Sequence, residues 1–387
     1  MTAPNVSALR FSSANLLFCI NIALLLVGGV GLWAGYLLIV LLKTALDEVV
    51  GDTDEQEVAG STAFMDMMAL LTLPLLAVNS LLFAFYFSPA ESTWLGAALA
   101  PIGIDFDGAR RGTTWFDMAG AFISMGALYG MAMNVAHELV HRTTDRVAYT
   151  FGRWLSAFSW ESSFALQHMT GHHMNAGYYE DSGTARRGEN VYAFVLRASV
   201  GNNIFAWRAE SNRLRRRGLS LWSLHNRFLI GQAMTLAIAA AFYACGGWLA
   251  VAAFAIVGFQ GRFYLEAAAF IEHYGLVRVP GTRTEARHSW NSYRAISNTI
   301  IYNVARHADH HLHAGKPFYK LLRDDDAPQL PHGYLTMFAI SLVPPLYARV
   351  MKPHLLDWDM HYATEAERRY LRSHGKPVWE PAAVPAE

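Results

Sequence analysis

Nine of the sixteen histidines in this 387-residue chain fall into three tight clusters and one single position, each at the end of a long apolar stretch or just beyond it. They are His137, His141, His168, His172, His173, His273, His307, His310 and His311. Neutral imidazole is the commonest protein ligand for transition metals, and histidines three or four residues apart share one face of a helix. Since one ion takes four to six ligands, nine nitrogens are too many for it. The count therefore predicts two metal ions, held where a membrane meets water.

The first cluster, at residues 137–141, has the HExxH spacing of zinc peptidases, in which the glutamate is the general base. A peptidase needs one further ligand and leaves six clustered histidines without a role. Glu138 could also form a simple salt bridge with Arg142, four residues further along the same helix. An intramembrane zinc metallopeptidase is therefore kept only as an alternative.

The second cluster spaces its imidazoles so that His168 and His172 share a helix face while His173 is offset by about 100°. The third cluster, within residues 307–311, repeats this arrangement with spacings of three and four. His273 stands alone at the end of an apolar run, in the sequence EHYG. Two such clusters, together with HExxH and His273, favour a metal centre over a set of polar interfacial helices.

Four carboxylates beside these histidines could accept the second ring N–H of a ligating histidine and so fix its tautomer. They are Glu138, Asp181, Glu272 and Asp309. Each could equally be an ordinary surface acid. We predict no catalytic group beyond the metal ligands, and histidines outside the spacing patterns, among them His313, are left out of the predicted site.

A nitrogen-rich pocket without thiolate suits iron that performs oxygen chemistry better than structural zinc, whose sites usually include cysteine. The two cysteines, Cys19 and Cys245, lie inside apolar runs and are expected to be small core residues. Two thiols cannot hold an iron–sulfur cluster. The chain therefore has no such electron carrier of its own, and its electrons must come from a partner.

The composition indicates a membrane protein, because 53% of the residues are hydrophobic and only 16% are charged, against about 25% in an average soluble domain. The formal net charge is zero, which gives no electrostatic case for a nucleic-acid partner. A signal peptide is not expected, because the first apolar run is too long and lacks a cleavage site of small residues.

The apolar runs predict an all-α, polytopic membrane helix bundle with five or six spans, forming a single domain over residues 1–387. The predicted spans lie near residues 15–42, 62–87, 115–136, 228–244 and 248–271. The first run has three glycines near residue 30 and is either one tilted span or a bent pair. Gly246 and Gly247 join the last two spans as a helical hairpin. The run 334–350 is interpreted as interfacial or buried.

Arginine is concentrated between the histidine clusters, and by the positive-inside rule this places the histidine-bearing segments on the cytoplasmic side. These segments, 137–227 and 272–387, form a predicted cytoplasmic, histidine-rich diiron cap, in what we expect to be a bacterial inner membrane. The acidic loop 45–58 is assigned to the same side. Within the last span, Arg262 and Glu266 are expected to pair with each other.

A run of basic residues follows the second histidine cluster. It consists of Arg213, Arg215, Arg216 and Arg217. These arginines either form a solvated surface that faces lipid headgroups or provide the docking site for an acidic electron-transfer protein.

The chain resembles the membrane-bound alkane 1-monooxygenases and their xylene monooxygenase relatives, in the integral-membrane fatty acid desaturase and hydroxylase superfamily. Residues 137–142 are similar to the family's first histidine box, and 168–173 to its second. Residues 272–275 resemble its HYG element, and 306–311 its third box. The likeness covers the chain from about residue 115 to 364.

Two departures leave the substrate branch open. Gln167 stands where alkane hydroxylases usually have an acid before the histidine, and the stretch 352–364 looks more like the xylene and cymene hydroxylase subunits. The resemblance therefore allows either a linear alkyl or an alkyl-aromatic substrate.

The resemblance implies a non-haem diiron monooxygenase that uses O₂ to hydroxylate the terminal or benzylic methyl group of an n-alkane or alkyl-aromatic, with the nine histidines as ligands of two iron ions. A rubredoxin or a ferredoxin-type reductase would supply the electrons, and membrane lipid would surround the spans. We expect an apolar substrate channel lined by residues 70–87 and 122–133. A fatty acyl desaturase with the same diiron core is the alternative.

Overall fold

The computed structural model describes residues 6–53 and 58–379, and within these ranges all regular structure is helical, without a β-strand. The helices in the first part of the chain are α1 (Val6–Leu9), α2 (Ser12–Val27), α3 (Gly29–Val50), α4 (Thr62–Phe85), α5 (Trp94–Leu99), α6 (Phe106–Gly112), α7 (Trp115–His141) and α8 (Arg146–Phe158). Those in the second part are α9 (164–175), α10 (Val191–Arg216), α11 (Arg227–His273), α12 (Ala295–Ile300), α13 (His307–Leu312), α14 (Tyr334–Ser341), α15 (Pro344–Asp357) and α16 (Glu365–Ser373). The chain is thus an all-α bundle, as its sequence predicts.

Among the described helices, α3, α4, α7 and α11 are long and apolar enough to cross a membrane, and α2 is a shorter apolar helix. Polar caps fix where the long helices begin. Ser61 accepts a hydrogen bond from the backbone N–H of Phe64, and Thr114 forms a capping box with Asp117. These start signals lie close to the span boundaries that hydropathy indicates.

The first apolar run is a bent pair rather than one tilted span. Gly28 and Gly29 have φ angles of +69° and +57°, which glycine adopts without steric cost, and they separate α2 from α3. The two helices run antiparallel, because the Asp47 carboxylate and the Arg10 guanidinium both bind polar groups near residue 300, at the same end of the bundle. The structure therefore resolves the alternative that the sequence leaves open.

The longest helix, α11, is bent at Gly246 and Gly247, whose backbone angles are not helical. The two halves fold back on each other, since the rings of Phe242 and Phe254 lie 5.0 Å apart. This is the hairpin that the sequence predicts, and it returns the chain to the histidine-bearing end of the bundle at His273.

Helix α7 lies at the centre of the bundle, packed against α3, α4, α8 and α11. Glycines permit the close approach of α11: a Cβ atom at Gly126 would meet the side chain of Gln260 at 2.4 Å, and one at Gly130 would meet the ring of Tyr264 at 2.6 Å. The C-terminal turn of α7, which carries the first histidine pair, is held in a fixed position by this packing.

Two expectations about buried groups are wrong. Arg262 forms an ion pair with the fully buried Glu161 (2.6 Å) instead of Glu266, which accepts a hydrogen bond from Asn202 (3.0 Å). A pair four residues apart on one helix is a weak interaction, and the loop after α8 brings a carboxylate closer. Cys19 is exposed on the outside of α2 rather than part of the core.

The run 334–350 forms two short helices, α14 and α15, whose residues Tyr334, Met337, Tyr347 and Met351 are buried. This agrees with the interpretation of the run as buried or interfacial. Part of the acidic loop, residues 54–57, lies outside the described residues. Residues 45–50 of this predicted loop are instead helical and form the end of α3, where Asp47 accepts a hydrogen bond from Ser297 at the histidine-bearing end.

Candidate metal centre

The first histidine pair lies on the last turn of α7, where His137 and His141 are both buried. Between them, Glu138 accepts hydrogen bonds from Arg142 at 3.0 and 2.8 Å, and Arg142 in turn binds Asp66 on α4 at 2.6 Å. Glu138 therefore ties α7 to α4, and within the described part of the chain its side-chain partner is Arg142 rather than a histidine ring. The salt-bridge interpretation of Glu138, rather than a role as general base, is the one that the geometry favours.

The second cluster lies on α9, which widens into a π-helical turn over His168–His172. Such turns occur mostly at functional sites. The ring nitrogens Nε2 of His168 and His173 lie 3.1 Å apart, and each is 3.1–3.2 Å from Nε2 of His141. The side chain of the neighbouring His172 faces a different group of histidines.

The nine predicted histidines divide into two groups whose candidate ligand atoms lie within 4.8 Å of one another. The group of five consists of His137, His141, His168, His173 and His310. The group of four consists of His172, His273, His307 and His311. Within the second group, Nε2 of His307 is 3.2 Å from that of His273 and 3.0 Å from that of His311. All nine residues that the spacing singles out are brought together, in the arrangement needed for two ions.

This donor set fits transition-metal ions. Nitrogens bound at right angles to one ion at about 2.1 Å lie about 3 Å apart, as the Nε2 atoms do here. Burial, reinforced by the neighbouring imidazoles, holds the pKa of His168, His173, His307, His310 and His311 well below the usual range. These rings are therefore neutral near pH 7, and their lone pairs are free to bind a cation.

Several polar groups orient the rings. Nδ1 of His172 lies 2.9 Å from a carboxylate oxygen of Asp181, and Nδ1 of His273 is 3.2 Å from the carbonyl oxygen of His288. Nδ1 of His307 lies 3.3 Å from the Glu272 carboxylate, which also accepts the hydroxyl of Tyr334. Such contacts set which nitrogen is available to a metal.

Asp181 is buried, which by itself raises its pKa, but His172 and hydrogen bonds from Thr184 and Gly183 hold that pKa below its usual range. The carboxyl group is therefore ionised at neutral pH and can accept the ring N–H of His172. Of the four carboxylates predicted to support histidines, Asp181 lies within hydrogen-bond distance of the ring of His172, and Glu272 lies 3.3 Å from the ring of His307. Both of these histidines belong to the group of four.

The other two predicted carboxylates have structural contacts instead. Asp309 accepts hydrogen bonds from Lys316 (2.7 Å) and the backbone N–H of Leu322 (2.7 Å), and lies 2.8 Å from Nδ1 of His313. His313 lies outside both histidine groups. Asp309 therefore anchors the loop that follows α13, as Glu138 anchors the end of α7.

The sequence did not predict that a C-terminal segment binds the residues next to the histidine centre. Arg187 donates to both oxygens of Asp359 (2.8 and 2.9 Å) and to the carbonyl of Gly275, two residues after His273. The ring of His288, whose carbonyl faces His273, binds Glu367 at 2.7 Å. A single sequence carries no signal for such contacts, because the partners are up to 172 residues apart.

The predicted docking arginines fall into two classes. Arg215, Arg216 and Arg217 are exposed at the end of α10. Arg213 is ion-paired with Glu210, since hydrogen bonds from Arg213 and Arg227 outweigh burial and lower the pKa of Glu210 to about 2. The three consecutive arginines are therefore exposed positive charges of this surface.

Beneath the histidines lies a small cavity of about 40 Å³, bounded by His137, His168, His172 and His307. It shares the lining residues Asn134 and Ala268 with a larger, mainly apolar groove of about 370 Å³. Helices α3, α7, α11 and α14 line the groove. An apolar molecule in the groove would thus point one end at the histidines.

The prediction of the substrate channel is correct for one of its two walls and wrong for the other. Ile123, Ala127 and Met131 of α7 line the groove as predicted, but residues 70–87 of α4 do not. That helix is packed against α2, where Asn79 accepts a hydrogen bond from Asn21 (2.8 Å). Helix α3 takes its place as a groove wall.

Residues 113–341 match the family model described as fatty acid desaturase. The alkane 1-monooxygenase 1 of Pseudomonas aeruginosa is 36% identical over 245 residues, which cover 62% of this chain and 64% of that protein. The alkane 1-monooxygenase 1 of Alcanivorax borkumensis is 32% identical over 338 residues (84% and 77%). The xylene/toluene monooxygenase hydroxylase component XylM of Pseudomonas putida is 32% identical over 271 residues (68% and 72%). The match to the first of these relatives spans slightly less than two thirds of its length.

Proposed function

The chain belongs to the fatty acid desaturase family, and from this membership we propose that it is a membrane-bound, non-haem diiron monooxygenase that hydroxylates a methyl group of a hydrophobic hydrocarbon. The single observation that carries the proposal is the division of nine histidines, all buried except the half-buried His173, into groups of five and four beside a small cavity that adjoins an apolar groove. A metal-binding integral membrane protein with this geometry combines a redox centre with access for a lipid-soluble substrate.

Iron held by the two histidine groups would activate O₂, so that one oxygen atom enters a C–H bond and the other leaves as water, with two electrons and two protons supplied from outside. The chain itself positions the substrate and excludes water. Ala268 and Asn134 border both cavities, and a methyl group that reaches the small cavity lies between His137 and His307. Apolar side chains of α3 and α14 cover the rest of the molecule.

The substrate class follows from the relatives' names and from the groove. The relatives are named for alkane and for xylene or toluene oxidation, and the groove volume of about 370 Å³ suits a single molecule of either class. A hydrophobic pocket distinguishes one methylene by only about 1–3 kcal/mol. We therefore expect a range of n-alkanes or alkyl-aromatics rather than one substrate.

We also propose that the chain is one integral-membrane domain in a bacterial inner membrane, with segments 137–227 and 272–387 on the cytoplasmic side. The apolar helices converge so that the histidines lie at the end where arginine is concentrated. In this orientation the exposed arginines 215–217 would be accessible to cytoplasmic electron donors.

A rubredoxin or ferredoxin-type reductase is the proposed donor, and Arg215, Arg216 and Arg217 are its proposed docking site. Replacing all three by glutamate is expected to lower the second-order rate of electron transfer from an acidic donor about 10-fold or more at low salt, because electrostatic steering is lost. The difference should shrink as ionic strength rises. Stopped-flow reoxidation of the donor measures both effects.

The matched control is Arg111→Glu, since Arg111 is exposed on α6, at the opposite end of the bundle. It should leave the rate and its salt dependence unchanged. If the triple variant also keeps both, the donor docks elsewhere.

The test of the proposed function is product analysis with ¹⁸O₂. Purified protein, supplied with donor and with octane or a xylene, is expected to give an alcohol that contains one ¹⁸O atom. A product that has lost two hydrogens and gained no oxygen would instead establish the desaturase alternative. A purified protein with one zinc and no iron would favour the peptidase alternative.

A further inference from the structure

Helix α10 exposes an apolar stripe, although it is not among the described helices that are apolar enough to cross a membrane. Leu196, Val200 and Ile204 are all exposed and follow one another at intervals of four residues, so they share one face of the helix. Arg208 is exposed on the same face, one turn further along. An apolar helix face that ends in basic residues is typical of a segment that lies in the membrane interface.

The loop that follows α10 carries two further exposed apolar side chains, Trp222 (79% exposed) and Leu224 (91% exposed). The ring of Trp207 on α10 lies 6.4 Å from that of Trp222 and 5.5 Å from that of Phe228 on α11. Tryptophan is enriched at membrane interfaces, and α11, which is apolar and long enough to cross the membrane, begins at Arg227. The end of α10 is therefore expected to lie at the level of the lipid headgroups.

A wide pocket of about 680 Å³ lies at this level, between α9, α10 and the beginning of α11. The charged residues of its lining are five arginines and one acid: Arg208, Arg213, Arg216, Arg217, Arg227 and Glu210. Glu210 pairs with Arg213 and Arg227, at 2.6 and 2.8 Å. In the part of the chain that the structure describes, the other three arginines form no ion pair. The pocket therefore presents an excess of positive charge to an anion.

The same pocket has an apolar part, which consists of Ala165 and Leu166 of α9 and Phe205 of α10. Phe205 packs closely on α9, since a Cβ atom at Gly171 would meet its ring at 2.8 Å. A small inorganic anion gains no binding energy from such a surface. A phospholipid does, because glycerol and the first carbons of its acyl chains lie next to the phosphate. The lining therefore fits an amphiphilic anion.

We propose that this pocket binds the headgroup phosphate of an anionic phospholipid, whose acyl chains lie along the apolar stripe of α10. Basic pockets between the helices of membrane proteins bind such headgroups, and the planar guanidinium group matches the geometry of a phosphate. The site differs from the proposed docking site for the electron donor. Arg208 and Arg227 belong only to the pocket, whereas Arg215 belongs only to the docking site.

A phospholipid is favoured over an acidic protein as the occupant for two reasons. The pocket adjoins the apolar stripe and Trp222, which are expected to lie in the membrane, where a lipid is always present and a water-soluble protein is not. The pocket is also concave and has the size of a headgroup with its glycerol, whereas a protein surface would contact exposed side chains such as that of Arg215.

The experiment measures binding of phosphatidylglycerol to the delipidated full chain in dodecyl maltoside by native mass spectrometry, with phosphatidylcholine as the neutral reference. We expect phosphatidylglycerol to bind about 10-fold more tightly or better. The double variant Arg208→Gln with Arg216→Gln should weaken phosphatidylglycerol binding on the order of 25-fold, about 5-fold for each arginine, and leave phosphatidylcholine binding unchanged. Arg208→Lys with Arg216→Lys should retain most of the affinity, because the charge is kept.

Arg215→Gln is the matched control, since Arg215 is exposed on the same helix but does not line the pocket. It should bind phosphatidylglycerol as the unaltered chain does, and a loss equal to that of the double variant would replace the pocket by a diffuse charge effect. Equal binding of the two lipids, or full phosphatidylglycerol affinity in the double variant, overturns the proposal. Displacement of phosphatidylglycerol by equimolar inorganic phosphate would assign the site to free phosphate and also overturn it. Slower electron transfer in Arg208→Gln, with unchanged lipid binding, would assign the pocket to the donor instead.

Discussion

Replacing His311 by alanine is expected to lower hydroxylation by at least about 100-fold and to reduce bound iron from about two ions per chain to about one. His311 belongs to the group of four histidines, in which its Nε2 lies 3.0 Å from that of His307. Loss of a group that only supports a ligand already costs about 10- to 100-fold in metal affinity or activity, so loss of a proposed ligand should cost more. Three nitrogens would remain, too few to retain the ion firmly.

His313→Ala is the matched control, because His313 is two residues away and lies outside both groups. Its side chain is 57% exposed and contacts Asp309. This variant should keep its iron and its activity and lose about 1 kcal/mol of stability at most. Iron is measured by mass spectrometry of the purified proteins and activity by alcohol formation.

The same reasoning predicts how the iron content of a third variant compares with that of His311→Ala. His173 belongs to the group of five, so four histidines remain after His173→Ala. We expect this variant to retain more iron than His311→Ala while losing activity. Full iron content in His311→Ala, or iron loss in His313→Ala equal to that in His311→Ala, would contradict the assignment of histidines to the two groups.

Replacing Asp359 by asparagine is expected to destabilise the folded chain by about 3–5 kcal/mol, because it leaves the buried Arg187 guanidinium without its countercharge. The side chains of Arg187 and Asp359 are 2% and 0% exposed. Arg187 also binds the carbonyl of Gly275, so the variant should loosen the segment that carries His273. Thermal unfolding in detergent and iron retention on heating measure the two effects.

Asp357→Asn offers a control two residues away. Asp357 pairs with His361 at the surface, where both side chains are more than half exposed. Exposed pairs contribute about 0–1 kcal/mol, so this variant should unfold like the unaltered chain.

In the double variant Arg187→Met with Asp359→Leu, stability should recover, since no charge is left buried. An unchanged unfolding temperature in Asp359→Asn would mean that the C-terminal segment does not support the centre.

The residues of the metal centre could be predicted from the sequence because their spacing is local. His137 and His141 share one face of a helix whatever surrounds them, and the same holds for His307 and His311. The division into five and four could not be predicted. It separates the neighbours His172 and His173, and this depends on the π-helical turn of α9 and on how α9 meets α11 and α13.

The contacts that connect distant segments could not be predicted from the sequence either. The pairing of Arg262 with Glu161 depends on how the loop after α8 packs against α11, and hydropathy contains no such information. The groove is lined by α3 rather than α4 for the same reason. The burial of Lys43, a residue of α3 that borders the groove and is only 9% exposed, is a further case. In the sequence it marks only the end of an apolar run, and its burial depends on the packing of α3 against α7.

The most direct test of the two-metal centre is to grow the protein with ⁵⁷Fe, purify it, and measure its metal content together with its Mössbauer spectrum. The nine histidines in two groups predict about two iron ions per chain, both in high-spin, nitrogen-rich sites. One iron per chain, or zinc in place of iron, would contradict the account.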